Sequence, residues 1–192
     1  MKSGDMMYNE YKFLRDEVVN YGNTQVSLTT FTITATAGII TLGVNNKNPY
    51  IFLLSFIIIV PLFYRILFYR SASMRLAAYL IVFLEPKIEG INWETINSET
   101  ITSIWENDKA IIKFSKIIRH NEFTILAIIS DILFLYFYLQ QENTTLVFYF
   151  ALLSSLVLTA TIAYSTYKGN MTAKMKEHYI KEWSEIKECR KL

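Results

Sequence analysis

The chain has 192 residues, of which 52% are hydrophobic, 19% are charged and 15% are aromatic. Its formal net charge is only +2, so overall charge offers no basis for nucleic-acid binding. The single cysteine, Cys189, excludes a disulfide bond within the chain.

Residues 1–24 predict an amphipathic helix and not a signal peptide. Apolar side chains recur there at steps of three and four residues, opposite charged ones. An apolar run of the signal-peptide type is missing from this segment. We expect the helix to be cytoplasmic and to lead directly into the first membrane span.

Four apolar segments of 17 to 20 residues follow, at 25–44, 50–69, 123–139 and 146–164. At ~1.5 Å per residue, each covers most of a ~30 Å hydrocarbon core. Tyr and Phe are concentrated at the segment ends, as in the aromatic belts of membrane proteins. The connections at 45–49 and 140–145 are short and polar, so we expect each pair of spans to form a hairpin.

The predicted fold is all-α: a polytopic membrane protein with four transmembrane helices in two hairpins, plus amphipathic cytoplasmic helices. The predicted segments are an N-terminal cytoplasmic helix, hairpin 1, a cytoplasmic helical segment, hairpin 2 and a C-terminal cytoplasmic helix, at 1–24, 25–69, 70–121, 122–164 and 165–192. Residues 70–120 and 165–192 hold seven Lys/Arg each, whereas the connections between paired spans hold only Lys47. The positive-inside rule therefore predicts a multi-pass membrane protein whose N- and C-termini and central segment are cytoplasmic.

The cytoplasmic segments carry recognisable helix boundaries. Pro86 lacks an amide donor and restricts the residue before it, so it predicts the end of the helix that follows the second span. Ser98 is suited to the N-cap of a further helix, which we expect to run to Arg119. A C-terminal helix is expected at about 172–189.

The first span is unusually polar for a transmembrane helix. One face carries five residues that are pore-lining candidates for an oligomer, namely Gln25, Thr29, Thr32, Thr36 and Gly43. The alternative is close helix packing, in which small residues admit a neighbouring backbone and threonine bonds back to its own helix. Packing is the favoured interpretation, and both roles can hold in an oligomer.

Two charged residues lie within the spans. Asp131 is eight residues into the third span, at a depth of roughly 12 Å. An unpaired carboxylate there costs roughly 2.5–3.5 kcal/mol, so it should face protein or water. An ion pair with Arg65 and an ion-pathway role both stay open. Pro61 frees a backbone carbonyl in the second span and is a candidate kink or gate.

Motifs for catalysis are not recognised in the sequence. A phosphate-binding loop, a nucleophile elbow and a metalloprotease motif are missing, and the two histidines lack metal-ligand spacing. We therefore expect neither an enzyme nor a bound metal or cofactor. Basic and aromatic cytoplasmic positions are candidates for binding a partner, namely Lys113, Lys116, Arg119 and Trp183.

Three strings carry a resemblance to known proteins: residues 10–17 (EYKFLRDE), 83–86 (FLEP) and 92–94 (NWE). They resemble a group of uncharacterised small bacterial multi-spanning membrane proteins. The order of N-terminal helix, hairpin and cytoplasmic helix also resembles SLATT-type effectors of bacterial anti-phage conflict systems. That resemblance implies an oligomeric pore that breaches the inner membrane when a cytosolic partner signals infection, although this chain has four spans where two are usual.

The leading hypothesis is a homo-oligomeric inner-membrane ion channel or pore-forming effector, surrounded by membrane lipids. A cytosolic partner protein or a nucleotide or oligonucleotide signal would gate it. The alternative is a non-conducting membrane sensor or scaffold that recruits a cytosolic defence protein, as in Kiwa-like systems. A third hypothesis is a small proton-coupled transporter that uses Asp131.

Overall fold

The structure is a computed structural model, and it describes residues 3–99, 110–141, 146–169 and 172–189. Seven α-helices and two shorter helical turns make up the regular structure of these residues. The helices before the first gap are α1 (Ser3–Asn46), α2 (Tyr50–Leu53), α3 (Ser55–Tyr79) and α4 (93–99). A π-helix (Leu80–Leu84) and a 3₁₀-helix (Glu85–Lys87) follow α3, and the remaining helices are α5 (Ala110–Leu139), α6 (Leu146–Gly169) and α7 (Thr172–Cys189).

Four helical stretches are long and apolar enough to cross a membrane, at Gly4–Asn46, Tyr50–Lys87, Asn121–Leu139 and Leu146–Lys168. Between 17% and 33% of the residues in their most apolar windows are buried within the chain. Their remaining apolar surface is what a lipid environment would cover. The prediction of an all-helical protein with four transmembrane helices is confirmed at this level, and such a chain is a multi-pass membrane protein.

The chain divides into two compact units. The first, unit 1, comprises Met1–Gln25, Phe68–Lys113 and Met171–Leu192. The second, unit 2, comprises Val26–Leu67 and Phe114–Asn170, and so contains most of all four apolar segments.

Unit 2 has two apolar clusters. Cluster A consists of Phe56, Ile59, Phe63, Ile66, Phe123, Ala127 and Ile162. Cluster B consists of Phe52, Phe134, Tyr138 and Phe148. The first span packs against both, through Leu28 at cluster A and Ile40 at cluster B. Each cluster therefore draws side chains from all four apolar segments.

Unit 1 has its own small core of Tyr11, Leu80 and Leu84. The predicted end of the helix at Pro86 is confirmed, because the 3₁₀-helix ends at Lys87 and Ile88 is extended. The predicted N-cap at Ser98 is wrong. Residues 93–99 are already helical, and the first turn is closed by a 2.9 Å bond from the Ile96 N–H to the Asn92 carbonyl. Of the helix predicted from there to Arg119, residues 100–109 lie outside the described residues. The predicted C-terminal helix is confirmed as α7.

Candidate functional site

A polar layer crosses unit 2 between the two apolar clusters. On α5, Ser130 and Asp131 lie between Ala127 of cluster A and Phe134 of cluster B. In the other three apolar segments, polar residues likewise lie between a residue that packs in cluster A and one that packs in cluster B. Polar residues from all four segments therefore share one level. We define the polar layer as the buried residues Thr32, Thr36, Ser55, Ser130, Asp131 and Ser155, together with the half-buried Thr159.

Asp131 is the charged member of this layer, and its side chain is only 5% exposed. The Thr159 hydroxyl on α6 donates a 2.7 Å hydrogen bond to Asp131 Oδ2. The other carboxyl oxygen, Oδ1, is buried and has no hydrogen-bond partner among the described residues. A buried acceptor left in this state costs roughly 1–3 kcal/mol, and more when it is charged. The oxygen therefore suits a ligand that brings positive charge or a donor.

Thr36 presents the second polar atom of this kind. Its side chain is fully buried, and its hydroxyl has no partner among the described residues. Thr32, one turn earlier on the same face of α1, donates to its own helix at the Leu28 carbonyl over 2.8 Å. Back-bonding of that kind is the usual way in which a threonine is satisfied inside a membrane helix. Thr36 is thus as deeply buried as Thr32, but among the described residues its hydroxyl lacks the hydrogen bond that Thr32 makes to its own helix.

A short chain of hydroxyls completes the layer. Ser55 Oγ donates to Ser130 Oγ at 2.8 Å and also contacts the Phe52 carbonyl. Ser130 donates in turn to the Leu126 carbonyl at 3.0 Å. The hydroxyl of Ser130 therefore accepts one hydrogen bond, from Ser55, and donates another, to its own helix.

The remaining pore-lining candidates of the first span lie elsewhere. Gln25 is half-buried and belongs to unit 1, whereas the Thr29 hydroxyl donates to Glu122 Oε1 at 3.3 Å. Gly43 is in close contact with cluster B, because an added Cβ would lie 2.6 Å from a ring carbon of Phe52. The pore-lining role of the five residues stays a prediction.

Arg65 and Pro61 lie at exposed positions of α3. The carboxylate of Asp131 bonds to Thr159 and not to Arg65 in the described part of the chain. Helix α3 continues through Pro61, and the helical break of this span lies earlier, at Leu54 between α2 and α3. The gating role of Pro61 stays a prediction.

Unit 1 holds a second polar centre, around Glu85. This carboxylate is 3% exposed and accepts hydrogen bonds from the backbone N–H groups of Glu94 (2.7 Å) and Thr95 (3.2 Å). The hydroxyls of Thr95 (2.6 Å) and Tyr11 (3.3 Å) also donate to it. A carboxylate at the first N–H groups of a helix satisfies its open donors and complements its dipole. Glu85 is therefore the N-terminal cap of α4, and it joins that helix to α1.

Helix α7 packs onto the same centre. Lys176 forms a 3.4 Å ion pair with the buried Glu94 carboxylate, and Lys187 donates to the Val82 carbonyl at 2.8 Å. Trp183 donates its indole N–H to the Arg75 carbonyl at 3.2 Å, so this partner-binding candidate is engaged within the chain. The other candidates, Lys113, Lys116 and Arg119, belong to α5, and their side chains lie outside the described part of the structure.

Sequence reasoning missed Glu85, Glu94, Thr159 and the Ser55–Ser130 pair as members of polar centres. Glu85 and Glu94 stand within the strings FLEP and NWE that carried the resemblance, which is the one signal that could have drawn attention to them. The serines and Thr159 are isolated in apolar segments, and their partners are 28 or 75 residues away.

Comparisons with known proteins add nothing to these observations. No protein-family model, no curated protein and no solved structure matches this chain.

Proposed function

We propose that the protein is a homo-oligomeric inner-membrane ion channel or pore-forming effector of a bacterial anti-phage defence system. A cytosolic partner or a nucleotide signal gates it. The observation that carries the conducting role is the polar layer of unit 2. An apolar membrane unit gains nothing in stability from a buried carboxylate with an unpartnered oxygen, whereas a conduction path needs such groups.

In this proposal the four spans form two hairpins with both termini in the cytoplasm. The asymmetry of Lys and Arg supports the orientation. The segments 1–24, 70–121 and 165–192 then supply amphipathic cytoplasmic helices that receive the signal. The contacts of Glu85 and Glu94 support a signalling role, since they join three helices of unit 1 through buried polar groups. The defence pathway itself rests on the resemblance to SLATT-type effectors.

Ion flux from liposomes containing the purified protein tests the proposal. We expect flux of a monovalent cation from wild-type liposomes when the candidate cytosolic partner or nucleotide signal is added, and a loss of at least about tenfold in Asp131→Asn, which preserves size but removes the charge. Thr34→Val is the matched control, because Thr34 is exposed and bonds only to its own helix, at the Thr30 carbonyl. A bulky residue at Thr32 is a poor probe, since that side chain is fully buried and its replacement would test folding.

The second candidate function is a non-conducting sensor or scaffold. It is favoured by Trp93, which is 54% exposed in unit 1 with the Arg15 guanidinium 4.8 Å from its ring centroid. Trp and Arg are the residues most often central to protein interfaces. Liposomes that stay tight with the partner or signal present and a folded, oligomeric protein, together with loss of partner binding in Trp93→Ala, would reject the channel in favour of the scaffold.

A further inference from the structure

We propose that the polar layer binds one monovalent cation, either a proton or an alkali-metal ion, at the carboxylate of Asp131. The inference deepens the proposed function. Binding of the cation does not depend on conduction, and only its transport rests on the proposed function. Two buried atoms without a hydrogen-bond partner among the described residues, Asp131 Oδ1 and Thr36 Oγ1, carry it.

The charges around Asp131 favour a cation as the ligand. Within the four apolar segments the other charged residue is Arg65, at an exposed position of α3. Glu122 lies just before the third segment and accepts a bond from Thr29, and the segments in α1 and α6 carry no charged residue. Among the described residues the carboxylate therefore accepts a hydrogen bond from one hydroxyl, and a single positive charge would neutralise it.

The ligand atoms define which cation is suitable. The described residues of the layer offer oxygen ligands, from one carboxylate and from hydroxyls. Thr159 donates its proton to Asp131 Oδ2 and Ser130 donates to the Leu126 carbonyl, so the oxygens of these hydroxyls can still act as acceptors. Oxygen ligands exclude a preference for soft metals. One carboxylate is also too little charge for calcium, which takes six to eight oxygens and usually several carboxylates.

The location of the layer places this binding step inside one protomer. Thr36 and Asp131 both lie between cluster A and cluster B, within the four-helix unit formed by a single chain. Each protomer of an oligomer would therefore hold its own cation, and the path would run between its own helices instead of along a shared central axis.

Labelling with dicyclohexylcarbodiimide tests cation binding independently of transport, because the reagent modifies protonated carboxyl groups in apolar surroundings. The full chain is placed in lipid nanodiscs, and the label is located by peptide mass spectrometry. We expect modification of Asp131 in the wild type and none at this position in Asp131→Asn. If the cation is an alkali-metal ion, sodium or potassium in place of choline will suppress labelling; if it is a proton, only raising the pH will do so.

Thr36→Val and Thr34→Val form a matched pair on the same helix. Loss of a hydroxyl that ligates the cation should shift, by about tenfold, the concentration of sodium, potassium or protons at which labelling is half-suppressed, whereas the exposed control should leave that concentration unchanged. Equal protection in the two variants, or labelling of Asp131 that responds to neither cations nor pH, would overturn the inference.

The outcomes separate this inference from the proposed function. Cation flux without any modification of Asp131 would overturn the binding site and leave the channel standing. Protectable labelling of Asp131 in a protein whose liposomes stay tight with the partner or signal present would support the cation site and reject the channel.

Discussion

Replacing Glu85 by glutamine should destabilise unit 1 by about 2–3 kcal/mol. The carboxylate accepts four hydrogen bonds, two at each oxygen, and each oxygen serves one backbone N–H of α4. Glutamine keeps one oxygen and replaces the other by an NH₂ group. In either orientation, one backbone N–H, that of Glu94 or that of Thr95, faces a donor and loses its acceptor.

The magnitude follows from these bonds. A buried donor left unsatisfied costs roughly 1–3 kcal/mol, and the bonds that remain change from charge-assisted to neutral, which removes about 1 kcal/mol more. The interaction of a carboxylate with the helix dipole, roughly 0.3–1 kcal/mol, is also lost. Removing a buried charge also recovers part of its desolvation free energy, which offsets some of these three costs. We therefore expect a net destabilisation of about 2–3 kcal/mol, less than the sum of their upper limits.

Equilibrium unfolding in detergent micelles, followed by tryptophan fluorescence, provides the measurement. Trp93 and Trp183 both belong to unit 1, so the signal reports on this unit. Glu89→Gln is the matched control, because Glu89 is exposed four residues further on. A free energy of unfolding for Glu85→Gln within about 0.5 kcal/mol of that for Glu89→Gln would refute the role of Glu85 as a buried cap.

Two further substitutions test packing and charge pairing. Gly43→Ala should lower the midpoint of thermal unfolding in detergent, by a destabilisation of about 1–3 kcal/mol, because its Cβ would overlap the buried Phe52 ring. Gly38→Ala, where an added Cβ meets nothing within 4 Å, should leave the midpoint unchanged or raise it; equal effects would contradict the close contact. Lys176→Met should cost about 2 kcal/mol in the same unfolding measurement, since it leaves the Glu94 carboxylate buried without its cation. Adding Glu94→Gln should restore most of that loss, and failure to do so would show that the ion pair is not the cause.

The four membrane-spanning helices could be read from the sequence because they depend on local composition. A segment such as 146–164 is apolar over its whole length, and transfer into hydrocarbon adds up residue by residue without reference to a neighbour. The end of the helix at Pro86 is equally local, since it follows from a missing amide donor and a restricted backbone.

The start of α4 shows where local reasoning failed. Ser98 has the chemistry of an N-cap, but the cap of this helix is supplied by Glu85, from the preceding 3₁₀-helix and nine or ten residues before the N–H groups that it accepts. A side chain from outside the helix can satisfy its first N–H groups as well as a local serine can. Its position is decided by tertiary packing, which a pattern of neighbouring residues does not contain.

The sequence by itself therefore determined that the chain is helical, that four of its helices suit a membrane and that Asp131 lies deep within one of them. Only the tertiary structure decided which polar side chains share a buried layer. Thr34 and Thr36 are the same residue type in the same span. Thr34 is exposed and bonds to its own helix, whereas Thr36 is buried and has no hydrogen-bond partner in the part of the chain that the structure describes. The difference arises from the helices packed around α1, because the free energy of a polar group depends on what surrounds it in space.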